Sequence, residues 1–97
     1  MLVYIAGPIT GMPNFNKEAF DTAKKFMTSL GYRVLSPSDI TLVIDGTWEY
    51  YMREALKLML LCDGIYLLTG WADSKGAKFE HQLALILKMN IMYEAGA

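Results

Sequence analysis

The chain has 97 residues, a formal net charge of −1 and 54% hydrophobic residues. That length supports one domain, 1–97, and the charge balance, with no long basic run, argues against binding along a nucleic-acid backbone. A lone cysteine, Cys62, excludes an internal disulfide and supplies no cluster of metal ligands, so no metal or other cofactor is expected and a reducing cytoplasm fits.

The apolar pattern alternates between strand and helix. Leu2 to Ala6 is a short apolar run stopped by Gly7-Pro8, which predicts a buried strand. Phe15 to Leu30 repeats apolar residues at three- and four-residue steps (Ala19, Phe20, Ala23, Phe26, Met27, Leu30), the period of a helix. Asn14 or Asn16 can cap its start, and Gly31 stands where a C-terminal glycine belongs. Tyr32 to Leu35 predicts a second strand, ended by Ser36-Pro37, and Ser38 to Gly46 reads as a turn or an irregular loop. Thr47 caps a second helix running to about Cys62, with Trp48, Tyr51, Met52, Ala55, Met59 and Cys62 on one side. Gly64 to Thr69 predicts a third strand, Gly76 to Lys88 a third helix, and Asn90 to Tyr93 a last strand.

The order β-α-β-α-β-α-β predicts an α/β fold, a three-layer sandwich with a flavodoxin- or Rossmann-like parallel sheet of about four strands. The strand order chosen is 2-1-3-4. In such sheets ligands bind beyond the carboxyl ends of the strands, where the order reverses. Here that point lies between strands 1 and 3, and the loops leaving it are Gly7 to Asn14 and Gly70 to Lys75.

The first of these loops holds Gly7, Pro8, Ile9, Thr10 and Gly11. It is neither a Walker A loop nor GxGxxG, so an anion bound there would rely on backbone N–H groups and Thr10; the alternative is a plain strand-to-helix turn. The second loop ends in Ser74-Lys75-Gly76-Ala77-Lys78-Phe79-Glu80, at the mouth of a helix whose free N–H groups suit an anion. Glu80 shares a side of that helix with Gly76 and Ala84, both small, beside a stripe of Phe79, Leu83, Ile86 and Leu87. It is either a site carboxylate or an ordinary acid near a helix start, placed for the dipole. Trp71 either stacks on a base or fills an apolar rim. Lys75 and Lys78 read as solvated, with help in holding a phosphate as the alternative; His81, about 100° from Glu80 on the helix, reads as a surface residue, with a general acid as the alternative; Cys62 reads as a small apolar group. Asp63 reads as a turn or cap residue.

A mean hydropathy of +0.24 is high for one small domain, which has little interior for so many apolar side chains. Tyr50 to Met52 and Leu58 to Leu61 therefore read as core plus a subunit surface, and a homo-oligomer, a dimer or higher, is expected. The start, Met1-Leu2-Val3-Tyr4-Ile5, lacks a basic leader, and no apolar run approaches the ~20 residues of a membrane span. Neither a signal peptide nor a membrane partner is expected.

Tyr4-Ile5-Ala6-Gly7-Pro8-Ile9, Cys62-Asp63-Gly64-Ile65 and Ser74-x-Gly76-Ala77-x-x-Glu80 together resemble the nucleoside 2-deoxyribosyltransferase superfamily. The similarity runs from Leu2 to Tyr93, and it is nearest to small phage- or prophage-type members and to the 2′-deoxynucleoside 5′-phosphate N-hydrolases. It implies a small-molecule nucleoside or nucleotide partner and a covalent mechanism. Glu80 would attack C1′ of the sugar and displace the base, and water or a second base would resolve the ester. A helix N-terminus would help to keep that carboxylate ionised, and Gly76 would leave room for the sugar. Tyr4 would lie near the sugar and Ser74 near a 5′-phosphate, which points toward a nucleotide.

Three positions depart from the pattern the resemblance implies. Ala55 stands where both branches carry an aspartate that helps proton transfer; the adjacent Glu54 projects about 100° away on a helix. Thr10 replaces a phosphate-contacting arginine, and Pro8 a serine. General acid help is typically worth about 10²–10⁴-fold in rate. Three outcomes therefore remain open: a glycosidic enzyme acting through Glu80, a weak or inactive protein that binds a nucleotide or an ADP-ribose-like ligand, and a domain that keeps only the fold.

Overall fold

The computed structural model describes residues 1–40 and 46–97. Four strands, β1 (Leu2–Ala6), β2 (Arg33–Leu35), β3 (Gly64–Leu67) and β4 (Asn90–Tyr93), alternate with three helices, α1 (Lys17–Ser29), α2 (Trp48–Met59) and α3 (Lys75–Ile86). The strands form one parallel sheet in the order β2-β1-β3-β4. Fold class and strand order agree with the reading of the sequence. Of the loop expected over 38–46, positions 41–45 lie outside the described residues; before them, Pro37–Asp39 make a single 3₁₀ turn closed by a Ser36–Asp39 capping box.

Alternation along β1 and β3 splits the core in two. Val3, Ile5, Tyr66 and Leu68 face α1 and pack on Phe20, Ala23 and Met27. Tyr4, Ala6, Ile65 and Leu67 face the other way, onto Ala55 and Met59 of α2 and Ala84 of α3. A tyrosine on the innermost strand with no exposed surface is unusual for a chain that could have placed an aliphatic residue there.

Element ends differ from expectation by a few residues, each for a local reason. Asn14, Phe15 and Asn16 adopt left-handed φ of 49°, 53° and 61°, so α1 starts only at Lys17. Neither asparagine caps it; Asn16 Nδ2 instead donates to the Pro8 carbonyl at 2.9 Å and ties down the first loop. At the other end Gly31 (φ 94°) closes a Schellman turn, with Gly31 N–H on Thr28 and Tyr32 N–H on Met27. That bond takes Tyr32 out of β2. The chain after Met59 tightens into i→i+3 bonds, Leu61 to Leu58 and Cys62 to Met59, so α2 stops before Cys62. Asp63 joins the strand starts: its Oδ2 accepts from Leu2 N–H at 3.0 Å.

Among the described residues no helix is long and apolar enough to cross a membrane.

Candidate active site

In a parallel sheet every helix begins at the edge where its preceding strand ends. The first turns of α2 and α3 therefore stand beside the loops after β1 and β3, where the strand order reverses. Two glycines let those loops meet. A Cβ on Gly7 would lie 2.9 Å from Leu68 Cβ, and Gly70 (φ 90°) faces the Pro8 ring, whose Cγ is 3.3 Å from where its Cβ would be. The close backbone approach expected of Gly7 is thus made to Leu68.

Between these elements lies a cavity of about 790 Å³, a size that suits a small organic ligand. Tyr4, Gly7, Pro8, Ile9, Thr10, Gly11, Ser74, Gly76 and Glu80 all line it. Trp71 does not. Its ring packs at 4.3 Å on His81, and His81 Nε2 lies 2.9 Å from the Tyr93 hydroxyl, so Trp71 and His81 build an aromatic cluster away from the cavity. The expected base-stacking role of Trp71 is corrected to its apolar alternative, and His81 is half-buried in that cluster instead of lying free at the surface.

Glu80 is 4% exposed, at the sixth position of α3 and buried against the sheet. Burial pushes its carboxyl up to about 7, and the Tyr4 hydroxyl beside it pulls the other way. Burial thus works against the ionised form that the helix N-terminus was expected to favour. The Tyr4 phenol sits close enough to act on the carboxyl without completing a hydrogen bond. Tyr4 Oη and Glu80 Oε2 are both buried without a hydrogen-bond partner among the described residues. Burial and the neighbouring Glu80 also hold the Tyr4 phenol well above its usual range. Native interiors rarely leave such groups unpaired, and one facing a cavity is an invitation to a ligand.

The neighbours of Glu80 also carry structural duties. Gly76 lines the cavity, but a Cβ there would meet Met52 Sδ at 3.0 Å, so its missing side chain lets α2 and α3 pack closely. Ser74 is the N-cap of α3, its Oγ accepting from Ala77 N–H at 3.3 Å. Lys75 holds its ammonium 4.1 Å over the Trp48 ring.

Sequence reasoning missed the aromatic wall. Trp48, Tyr50 and Tyr51 from the first turn of α2, with Met12 and Phe15 from the first loop, also line the cavity. Trp48 and Tyr51 follow the same period as Met52, Ala55 and Met59 and so look like core. The available signal was their place at the helix start, which has no strand opposite it. Tyr51 is half-buried, and burial together with Glu80 pushes its phenol up to about 12. Ala55 contributes only a methyl to the wall, and Glu54 lies outside the cavity lining, in an ion pair with Lys57. Burial pushes the Cys62 thiol up to about 11, so it stays protonated and inert. Among the described residues no three His, Cys, Asp or Glu side chains converge as a metal site would require.

The family model described as "Domain of unknown function (DUF4406)" matches residues 1–93. The chain belongs to that DUF4406 family. No curated protein matches it. Among solved structures it is similar to the 2-deoxyribosyltransferase of the psychrotolerant bacterium Bacillus psychrosaccharolyticus, described as a biocatalyst for the synthesis of nucleosides. The TM-score is 0.73 and the identity 21%, over 96% of this chain and 71% of that one. A 2-deoxyribosyltransferase of Leishmania mexicana gives a TM-score of 0.71 at 20% identity, over 95% of this chain and 62% of the other. The DUF4406 chain thus has a nucleoside 2-deoxyribosyltransferase-like fold.

Proposed function

We propose that this protein cleaves or exchanges the N-glycosidic bond of a (deoxy)nucleoside or its 5′-monophosphate, with Glu80 as the nucleophile. The observation that carries the proposal is a buried carboxyl with an unpartnered oxygen on the wall of a cavity of about 790 Å³. The shared fold supports it, since both solved relatives are named for deoxyribosyl transfer.

In this reading the sugar lies against Glu80 and the base reaches toward the aromatic wall of Trp48, Tyr50 and Tyr51. A Glu80 oxygen attacks C1′ while the C1′–N bond breaks and its electrons leave with the base. Water or a second base then breaks the C1′–O ester, and the configuration at C1′ is retained. The Tyr4 hydroxyl completes a hydrogen bond to the carboxyl when the ligand tightens the site, favouring the ionised form. Glu80 must be ionised to attack, so base release should rise about tenfold per pH unit below 7 and level off above it.

The test is base release, followed chromatographically, from each deoxynucleoside and deoxynucleoside 5′-monophosphate, with and without a second free base. Activity that vanishes in Glu80→Gln supports the proposal; turnover that survives in Glu80→Gln sinks it. Ala55 favours a second reading, a binding protein of the same fold whose wall offers a methyl where an acid would help the base depart. That reading expects ligands to raise the melting temperature of the wild type with no base released.

The protein is also proposed to act as a homo-oligomer in the cytoplasm. Phe79, Ile86 and Leu87, which share a side of α3, are 50%, 65% and 48% exposed, and Leu61 at the end of α2 is 68% exposed. Side chains of this size clustered on a 97-residue chain fit a buried contact between copies.

A further inference from the structure

In the reaction proposed above, the base leaves C1′ on the side away from Glu80, toward the α2 wall. It carries off the electron pair of the C1′–N bond and needs a proton as it goes. Few of the described groups on the cavity wall could supply one. Asp73 and Lys75 are exposed, and Lys75 already holds its ammonium over the Trp48 ring at 4.1 Å. Serine and threonine hydroxyls are too weakly acidic. Tyr4 is fully buried, with its hydroxyl beside the Glu80 carboxyl. That leaves the two phenols of α2, Tyr50 and Tyr51. Tyr51 shares a face of the helix with Ala55, one turn on, which fills its part of the wall with only a methyl. It is close enough to Glu80 for the carboxylate charge to act on its phenol, and its hydroxyl makes no hydrogen bond to a described residue. Tyr50 is turned about 100° from it on the helix.

We infer that Tyr51 is a catalytic residue, giving its hydroxyl proton to the departing base and recovering one from the incoming water or second base. The inference rests on the function proposed above and adds an acid to it. In the first half a Glu80 oxygen bonds to C1′, the C1′–N electron pair passes to the base, and the Tyr51 proton joins a base nitrogen. A neutral ester and a phenolate remain. In the second half the water oxygen bonds to C1′, the ester electron pair returns to Glu80, and a water proton returns to the phenolate; a second base would give up its N–H proton instead. The charge on Glu80 times both transfers. Burial and that charge hold the phenol up at about 12 before attack. Forming the ester removes the charge, and with it part of the restraint, as the base comes to need the proton. Breaking the ester restores the carboxylate, whose field draws the proton back to Tyr51.

The experiment compares Tyr51→Phe with the wild type on two substrates. One is the deoxynucleoside or 5′-monophosphate that the wild type cleaves fastest. The other is the 4-nitrophenyl 2-deoxyribofuranoside with the same 5′ group, whose leaving group is a stable anion that needs no proton. Phenylalanine keeps the ring on the wall, and circular dichroism checks the fold. Tyr51→Phe should lower kcat on the natural substrate about 10²–10⁴-fold and kcat on the nitrophenyl compound by less than about threefold. Glu80→Gln should abolish both. Equal losses on the two substrates would make Tyr51 a structural or binding residue and overturn this inference. An unchanged rate on the natural substrate overturns it too, as does a wild type that cleaves only the nitrophenyl compound; each of these leaves Glu80 as the nucleophile. A wild type that cleaves none of these compounds overturns the proposed reaction and the role of Tyr51 together.

Discussion

Replacing Glu80 by glutamine tests the central electrostatic claim without any substrate. In the folded protein the Glu80 carboxyl sits at about 7, against an ordinary value of 4.5, and the cause is burial. A carboxyl raised in the folded state stabilises the fold at low pH, where it is neutral in both states. That contribution is fully present below pH 4.5 and is lost as pH rises through 7, because the unfolded chain ionises freely while the folded one must bury the charge. The difference of about 2.5 pKa units at about 1.4 kcal/mol each gives a loss of about 3 kcal/mol by pH 8. Against a typical domain stability of roughly 5–15 kcal/mol this is a large share.

Glutamine fills nearly the same volume and cannot ionise. The stability of Glu80→Gln minus that of the wild type should therefore rise by about 3 kcal/mol between pH 4.5 and pH 8, most of it before pH 7. Urea unfolding of both proteins across that range supplies the measurement. A constant offset from the new amide, whatever its sign, leaves the slope intact, and titrations elsewhere in the chain cancel in the difference. A difference that stays flat across the range would refute the claim that Glu80 is buried with a raised pKa.

Three other substitutions have directions fixed by the structure. Tyr4→Phe removes the hydroxyl that restrains the rise at Glu80, so the midpoint of that same pH-dependent difference, and of base release, should move upward. Stability at low pH should change by no more than about 1 kcal/mol, since the lost hydroxyl has no hydrogen-bond partner. Gly7→Ala places a methyl 2.9 Å from Leu68 Cβ, which cannot swing aside, and should destabilise by roughly 1–3 kcal/mol in urea unfolding. Ile86→Glu, on the exposed side of α3, should lower the mass seen by light scattering while far-UV circular dichroism is unchanged; an unchanged mass would place the subunit contact elsewhere.

The legible part of this protein was whatever depends on local periodicity and on the rules of parallel sheets. β1 and β4 fall where the apolar runs lie, and the crossing point between β1 and β3 follows from strand order alone. Glu80 stood out because an acid between small residues on an otherwise apolar helix calls for a reason. Less was legible where meaning depends on what lies across a gap. Trp48 and Tyr51 keep the helical period of core residues, and only the end of the sheet beneath them turns that face into a cavity wall. Trp71 went the other way: a loop aromatic beside the site, claimed by His81 and Tyr93 from elements that no short-range pattern connects to it. Gly76 shows the same limit. Its lack of a side chain was visible, but the partner that needs the space, Met52, comes from another helix.

The burial of Glu80 is hidden for a related reason, and it bears on function. Proximity to a helix start is readable in a sequence; the depth of burial that defeats the dipole is not. A carboxyl poised near neutrality, beside a phenol with no partner, is a costly arrangement for a domain this small to keep in its core. It becomes favourable only when something in the cavity supplies the missing contacts. A ligand that satisfies Glu80 Oε2 and the Tyr4 hydroxyl stabilises the folded state by its binding free energy and also removes part of the penalty on the ionised carboxylate. Stabilisation by such a ligand should therefore be greater at pH 8 than at pH 5, and Glu80→Gln should abolish that pH dependence. Equal stabilisation at both pH values would mean that the ligand binds without engaging the carboxyl, and Glu80 would then be a structural oddity instead of the centre of the site.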